Sequence, residues 1–423
     1  PSTPIVTEVI NLSEKNDGSA PYEKKPINWE TYDAEKKVFE GIIAVDLGTT
    51  TIAMQLREKQ SGEVADTYCE LNPQRSYGAD VLSRIQASCA GERDTLQAQV
   101  RGVLERGVRQ FRENFYKITN DILNISCMCI AGNTTMVHLL MGFDVSTLGR
   151  SPFAPVTLEL LTENKEGEFP VYIVPGISSF VGGDIVAGLY ALSMLKDNFA
   201  GNSMLIDLGT NGEIVARAGD RMAATATAAG PAFEGGASAN LIGTDMVAVM
   251  DRLRREHIID ETGLMCSPYF EEGIKICEKK TAQGIEAGEE GQFLLQKEDV
   301  RRLQLAKAAV RAGVEILWKI LGQTTCDQIW LAGGFGYYLD VEAAFAIGLL
   351  PGQMRGKVKA AGNTSLEGAY RIGRDLLDGI ISREKFEEIL RKIKVINLAQ
   401  EDAFAQLYVG YMNLEESLIV FVL

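Results

Sequence analysis

Two aspartates stand in the same setting at distant points of the chain. Asp46 closes the apolar run of "IIAVDLGTTTIAMQL", which begins at Ile42, and Asp207 closes that of "MLIDLGTNGEIVA", which begins at Met204. A Gly-Thr turn directs backbone N–H groups outward together, so it can cradle an anion, and the absence of a side chain at Gly48 or Gly209 lets phosphate oxygens approach. Thr49 and Thr50 in the first turn, and Thr210 and Asn211 in the second, add hydroxyl and amide groups. The aspartates would repel a polyphosphate directly. A divalent cation removes the conflict: the carboxylates of Asp46 and Asp207 hold Mg²⁺, largely through its waters, and the metal screens the phosphates. One copy of Asp-Leu-Gly is also an ordinary turn in which the aspartate caps its own backbone. The repetition is what predicts a metal–phosphate clamp.

Further residues belong to the same chemistry. "LAGGFG", from Leu331 to Gly336, is a strand running into adjacent glycines, a geometry that lets backbone lie against a nucleotide at Gly333 and Gly334, though it is equally a tight strand-to-helix turn. Asp184, in "VGGDI", and Glu213 are candidates to activate water, and each is also explicable as a helix cap or a surface charge. Asn133 positions water or metal, or braces its own turn. Neither a G-x-x-x-x-G-K-[ST] phosphate loop nor a G-x-G-x-x-G after a strand is present.

These residues need strands and turns to hold them. "VFEGIIAVDLG" reads as a buried strand, and Ile52, Met54 and Leu56 alternate beyond it, so the first motif is a hairpin. Leu96, Val100, Val103, Leu104, Val108, Phe111 and Phe115 form a helical stripe, followed by the strand "CMCIAGN" and a helix over about 134–141. Pro152, Pro155 and Pro170 mark an irregular connection. In the second half a long helix starts near Asp299, a plausible N-cap, and stops at Gly322. One hairpin in each half suggests two similar α/β lobes facing across a cleft. The division expected is a linker over 1–40, a first lobe over 41–200, a second over 201–362 and a return segment over 363–423.

With 46% apolar and 23% charged residues, the 423-residue chain has the composition of a soluble protein of two or three domains. A net charge of −15 repels DNA and RNA, so nucleic acid is not an expected partner. The apolar end "SLIVFVL" falls far short of the roughly 20 residues that span a bilayer, and a cytoplasmic location is expected. The 7 cysteines include no C-x-x-C pair and read as reduced thiols. Only His138 and His257 are present, which leaves little for a histidine-based mechanism.

The order of motifs resembles the ASKHA superfamily, the actin-like ATPases that include acetate and sugar kinases, heat-shock chaperones and actin. "DLGTTT" at Asp46 and "DLGTNGE" at Asp207 match its phosphate motifs, "IAGNTTMVHLL" and "AGNTSLEGA" its connecting segments, and "LAGGFG" its adenosine motif. The resemblance implies an α/β, two-lobed actin-like ATPase (ribonuclease H-like) fold, each lobe a five-stranded sheet with helices, with Mg-ATP in a nucleotide cleft between lobes. It would put Gly48, Thr49, Thr50, Gly209, Thr210 and Asn211 on the β- and γ-phosphates, and Gly333, Gly334, Gly235 and Gly236 near the adenosine.

Within that superfamily the chain resembles the ATP-dependent reductive activators of corrinoid-dependent methyltransferases and corrinoid iron–sulfur proteins. "LNPQRSYGADVLSRI", "GRSPFAPV", "PGISSFVGGDIVAGL", "GPAFEGG" and "GGFGYYLDVEAAFAIGLLP" carry the likeness. Such proteins use ATP to drive an electron onto an inactive Co(II) corrinoid of a partner protein, carry a 2Fe–2S iron–sulfur cluster on an N-terminal ferredoxin-like domain, and in many cases form homodimers. A cluster of that type needs four cysteines, three of them closely spaced, and no such run is present. The linker-like start leads to the expectation that the cluster domain lies upstream of Pro1; a separate redox chain is the alternative. A sugar or carboxylate kinase is the enzymatic rival, and it meets an amide at Asn133 where sugar kinases often place their basic aspartate. An actin-like or chaperone-like ATP switch is the other.

Overall fold

In the computed structural model the described residues are 26–29, 39–78, 80–164, 168–197, 199, 201–209, 211–230, 243–277, 292–323, 326–333, 336 and 339–416. They form strands β1 (Glu40–Leu47), β2 (Thr51–Glu58), β3 (Val64–Leu71), β4 (Asn124–Gly132), β5 (Leu161–Glu163), β6 (Val171–Ile173), β7 (Asn202–Leu208), β8 (Gly212–Ala218), β9 (Arg221–Thr227), β10 (Ile274–Cys277), β11 (Gln292–Leu295), β12 (Gln328–Ala332), β13 (Val358–Gly362) and β14 (Ile393–Val395). The helices are α1 (Val81–Ala87), α2 (Arg93–Thr119), α3 (Thr134–Met141), α4 (Gly183–Ala191), α5 (Gly243–Arg255), α6 (Tyr269–Glu272), α7 (Lys297–Ile320), α8 (Val341–Ala346), α9 (Thr364–Leu377), α10 (Arg383–Arg391) and α11 (Phe404–Gly410). The chain divides into two units, one of Pro1–Phe199 with Gly362–Ile393, the other of Ala200–Ala361 with Lys394–Leu423. Residues 363–423, expected as one return segment, are shared between them.

In the first unit β1 lies antiparallel to β2 and parallel to β4, in a sheet ordered β3-β2-β1-β4-β6-β5. β1 is buried at almost every position, which requires cover on both faces. Ile43, Val45 and Leu47 share a core with Leu96, Val100, Val103 and Phe111 of α2. Ile42, Cys127 and Cys129 point the other way, against Gly373 of α9. The two thiols therefore share one buried strand face, and burial pushes Cys127 up to about 12. The helical stripe of α2 is buried as the spacing predicts, except that Gly107, not Val108, is the buried residue in the middle turn.

The second unit repeats this plan. β7, β8 and β9 make an antiparallel meander, β12 joins β7 in parallel, and the order is β13-β12-β7-β8-β9-β14. Counted outward from the hairpin, β9-β8-β7-β12-β13 corresponds to β3-β2-β1-β4-β6. Each sheet has six strands rather than the five expected, because β5 and β14 add an edge strand. Behind the second sheet α7 buries an apolar face that includes Val310, Val314 and Leu317. Its Asp299 is not the N-cap: it sits two residues inside the helix, where its carboxylate accepts the N–H of Gln296 at 2.8 Å.

Candidate functional site

The first hairpin is braced from behind. β1 carries Asp46 to its end, Leu47 pairs with Ile52, and the chain turns through Gly48, Thr49 and Thr50. The carbonyl oxygen of Gly48 accepts from Asn72 Nδ2 at 2.9 Å, that of Thr49 from the Arg84 guanidinium at 2.6 Å, and that of Thr50 from the Asn72 N–H at 2.9 Å. In a trans peptide the N–H points opposite to the C=O. Tying back the carbonyls of Gly48 and Thr49 therefore turns the N–H groups of Thr49 and Thr50 to the other side, as an anion cradle needs. A Cβ on Gly48 would overlap the carbonyl oxygen of Thr51, so closure of the turn itself demands glycine here.

Two side chains flank this turn in front. Asn133 is the N-cap of α3; its Oδ1 accepts the Met136 N–H at 2.9 Å and its Nδ2 donates to the Thr49 hydroxyl at 3.0 Å. Asp184 lies in the first turn of α4, accepting the Ile185 N–H at 2.8 Å. Burial pushes its carboxyl up to about 7, and the charge of Asp46 adds to the effect. Asp46 is itself raised by burial, against which the Asn363 amide, donating to Oδ2 at 2.8 Å, is the largest counterweight. The buried Ser365 hydroxyl also faces this carboxylate and, like the Asn363 amide, works against the effect of burial. His138 is built into the scaffold: Nδ1 meets the Thr134 carbonyl at 2.7 Å and Nε2 accepts the Val156 N–H at 3.0 Å.

The second hairpin meets the same need differently. Asp207 pairs with Ala332 of β12 on one side and stands opposite Glu213 of β8 on the other. Directly opposed residues of antiparallel strands share a face, so the two carboxylates lie on the same face of the sheet. In the first hairpin the position opposite Asp46 is Ala53, and the second carboxylate comes from α4 instead. Gly209 donates its N–H to the Asn211 carbonyl at 2.9 Å. Gly333 follows β12 with φ of 81°, and a Cβ there would collide with Asp207 Oδ1. The glycine motif thus packs directly on the second aspartate.

Asp46, Asp184, Gly48, Thr49, Thr50 and Asn133 come together in the first unit, and Asp207, Glu213, Gly209, Asn211 and Gly333 in the second. Thr210, Gly235, Gly236 and Gly334 lie outside the described residues. Sequence reasoning assigned no role to Asn72, Arg84, Asn363 or Ser365. The signal for Asn363 was the recurrence of Ala-Gly-Asn-Thr at 131–134 and 361–364. Among the described residues no three His, Cys, Asp or Glu side chains group closely enough to hold a metal by themselves. A Mg²⁺ ion, which keeps several waters and takes one or two carboxylates plus phosphates, fits the Asp46 carboxylate at the mouth of the first turn. Among the described residues the cysteines form no disulfide and no set of four of the kind an iron–sulfur cluster needs.

Comparison with known proteins gives the family. The family model for the RACo middle region matches residues 41–197, and that for the C-terminal domain of RACo, the ASKHA domain, matches residues 201–240 and 237–421. The chain belongs to the RACo family. Its RACo relatives include the corrinoid activation enzyme RamQ of Eubacterium limosum, 29% identical in an alignment 388 positions long that covers 80% of this chain and 64% of that protein. The Co(II) methylated amine-specific corrinoid protein reductase of Methanosarcina barkeri is 22% identical in an alignment 427 positions long that covers 86% of this chain and 75% of that protein. A solved structure of a reductive activator for corrinoid, iron-sulfur protein superposes with a TM-score of 0.75 at 27% identity, covering 92% of this chain and 68% of its own. The chain spans less than two thirds of the RamQ relative. Among the described residues of this RACo protein no helix is long and apolar enough to cross a membrane.

Proposed function

We propose that this RACo-family chain is the Mg-dependent ATPase part of a reductive activator, which spends ATP hydrolysis to drive an electron onto the inactive Co(II) form of a corrinoid protein. The observation that carries the ATPase reading is the first hairpin: its carbonyls are held by Asn72 and Arg84, which turns the N–H groups of Thr49 and Thr50 the other way, and Asp46 at the strand end is close enough for its charge to raise Asp184. The corrinoid reading rests on the relatives, whose names make them activators or reductases of corrinoid proteins.

Mg²⁺, when bound, supplies charge neutralisation for the phosphates and ordered water. The N–H groups of Thr49 and Thr50 hold phosphate oxygens, with the Gly209–Asn211 turn as the corresponding element of the second unit. Asp46 would orient the metal's waters, and Asp207 is the corresponding carboxylate of the second unit. Asp184, with its carboxyl at about 7, is matched to take a proton from attacking water near neutral pH. Gly333 holds Asp207 in place and leaves room for the adenosine. The electron itself comes from an iron–sulfur donor outside the described residues.

Against a kinase, Asn133 has both ends of its amide committed, one to the α3 cap and one to Thr49, and neither end can accept a proton from an acceptor hydroxyl. ATP hydrolysis that accelerates when a Co(II) corrinoid protein is added supports the proposal. A chain that hydrolyses ATP but neither binds nor responds to any corrinoid protein refutes the partner assignment. Full Mg-dependent hydrolysis by Asp207→Asn refutes the role of that carboxylate.

A further inference from the structure

Asn133 and Asn363 hold the same place in two Ala-Gly-Asn-Thr segments, each between a strand and a helix. Each spends its side-chain oxygen on capping the helix that follows: Asn133 accepts the Met136 N–H and Asn363 the Leu366 N–H, both at 2.9 Å. The nitrogen of each amide then reaches the first phosphate hairpin. Asn133 donates to the Thr49 hydroxyl, and Asn363 to Asp46 Oδ2 at 2.8 Å. Rotating either amide would set its NH₂ against the helix N–H and its oxygen against the hairpin, so the cap fixes which end faces the site.

We infer that Asn363 is a positioning residue for nucleotide hydrolysis, holding one carboxylate oxygen of Asp46 so that the other is aimed at the waters of the bound magnesium. This rests on the proposal that Asp46 organises Mg²⁺. A hydrogen bond to an ionised carboxylate is among the stronger kinds and is directional, so it selects one rotamer of Asp46. Ser365, two residues further on, brings a second polar group, a buried hydroxyl, from the same helix turn to this carboxylate.

Helix α9 is fixed well enough to make that aim repeatable. Its Glu367 is buried between Arg57 of β2 and Arg371, which donates at 2.6 Å, and the Tyr370 hydroxyl donates to the Lys59 carbonyl at 2.9 Å. Asp375 accepts the Tyr190 hydroxyl of α4 at 2.6 Å. The first turn of α9 therefore keeps a constant place beside β1, and Asn363 with it. Asn363 also stands directly after the point where the chain passes from the second unit to the first, between Ala361 and Gly362.

Asn363→Ser and Asn363→Asp separate positioning from folding, because both keep an N-cap oxygen. Serine is too short to reach Asp46, and aspartate sets a second carboxylate against it. In the full chain, calorimetric titration with ADP at a series of Mg²⁺ concentrations should show Asn363→Ser raising the half-saturating Mg²⁺ about tenfold, the equivalent of one lost charge-assisted hydrogen bond, with Asn363→Asp weaker still. The thermal midpoint and metal-free ADP affinity of Asn363→Ser should stay parental, and its kcat for ATP should fall more than its KM rises. Parental Mg²⁺ dependence in both variants, or a lowered midpoint as the sole change, overturns the inference. A parent chain that binds no Mg-nucleotide overturns the site reading, and this inference with it, before any variant is compared.

Discussion

Asp184 and Asp46 are neighbouring carboxylates of the first unit: burial chiefly, and the charge of Asp46 in addition, push the Asp184 carboxyl from 3.8 up to about 7. In the second unit Asp207 adjoins Glu213 instead. Both phosphate hairpins thus present a pair of carboxylates, and they obtain the second one from different elements.

If Asp184 accepts the proton of water, it has to be ionised, so the rate of ATP hydrolysis should rise with pH through about 7 and level off above it. Asp184→Asn should remove that rise and lower kcat by about 10²–10⁴-fold with little change in nucleotide affinity. A pH–rate profile of the two proteins decides this.

The same carboxyl should shape stability. Between pH 3.8 and about 7 the folded chain keeps the Asp184 proton while the unfolded chain has released it. The native state then binds more protons, and stability falls as pH rises through this window. Asp184→Asn should flatten that slope and be more stable than the parent at pH 8, as urea denaturation at pH 5 and pH 8 would show.

Lys307 of α7 is buried, donates to the Asn413 carbonyl, and is lowered to about 7 first by burial and then by Arg311. Between about 7 and 10.5 the unfolded chain holds the lysine proton and the folded chain has lost it, so this group makes stability rise with pH across the window. Lys307→Met should abolish that part of the slope, its effect relative to the parent being most favourable below pH 7. Denaturation midpoints at pH 6 and pH 10 test it.

Gly333→Ala should fail at the second hairpin. The new Cβ would collide with Asp207 Oδ1 and lie 2.8 Å from the Leu208 carbonyl oxygen, at a φ of 81° that side chains resist. A loss of about 1–3 kcal/mol of stability is expected, together with weakened Mg-ADP binding in the same preparation. Gly209→Ala is the comparison, since among the described residues a Cβ there meets nothing closer than 3.9 Å.

Arg84→Met removes the donor to the Thr49 carbonyl and leaves that oxygen without its brace. A cost of about 1–3 kcal/mol is expected from one unsatisfied buried acceptor. Amide exchange over residues 48–51 should quicken, and nucleotide affinity should fall, even though Arg84 itself stands behind the turn. Unchanged exchange would show that the turn holds its shape without the arginine.

The hairpins were legible because their signals are local. An apolar strand, a polar residue at its end and a glycine turn lie within a dozen residues, and a strand period of two needs no tertiary information. The glycine motif was legible in the same way, although its contact with Asp207 depends on β12 lying beside β7. The roles of Asn72 and Arg84 were not legible. Nothing in "LNPQRSYGADVLSRI" says that an arginine in a helix would point back to a carbonyl 35 positions earlier in the chain. Long-range hydrogen bonds leave no periodicity behind. The capping arrangement of α7 was misplaced by three residues for a milder reason, since an aspartate inside the first turn and one at the cap look alike in sequence.

The sequence by itself determined that this chain makes one Asp-Leu-Gly hairpin twice, with an aspartate at each strand end, because strand pattern and turn chemistry are written in adjacent residues. Only the tertiary structure decided what completes each hairpin. Asn363 meets Asp46 across 317 positions, Asp184 reaches it from α4, and Glu213 meets Asp207 across a strand pair. Such partners are chosen by which strands and helices pack together, and that choice is made by burial of whole faces rather than by any short run of residues.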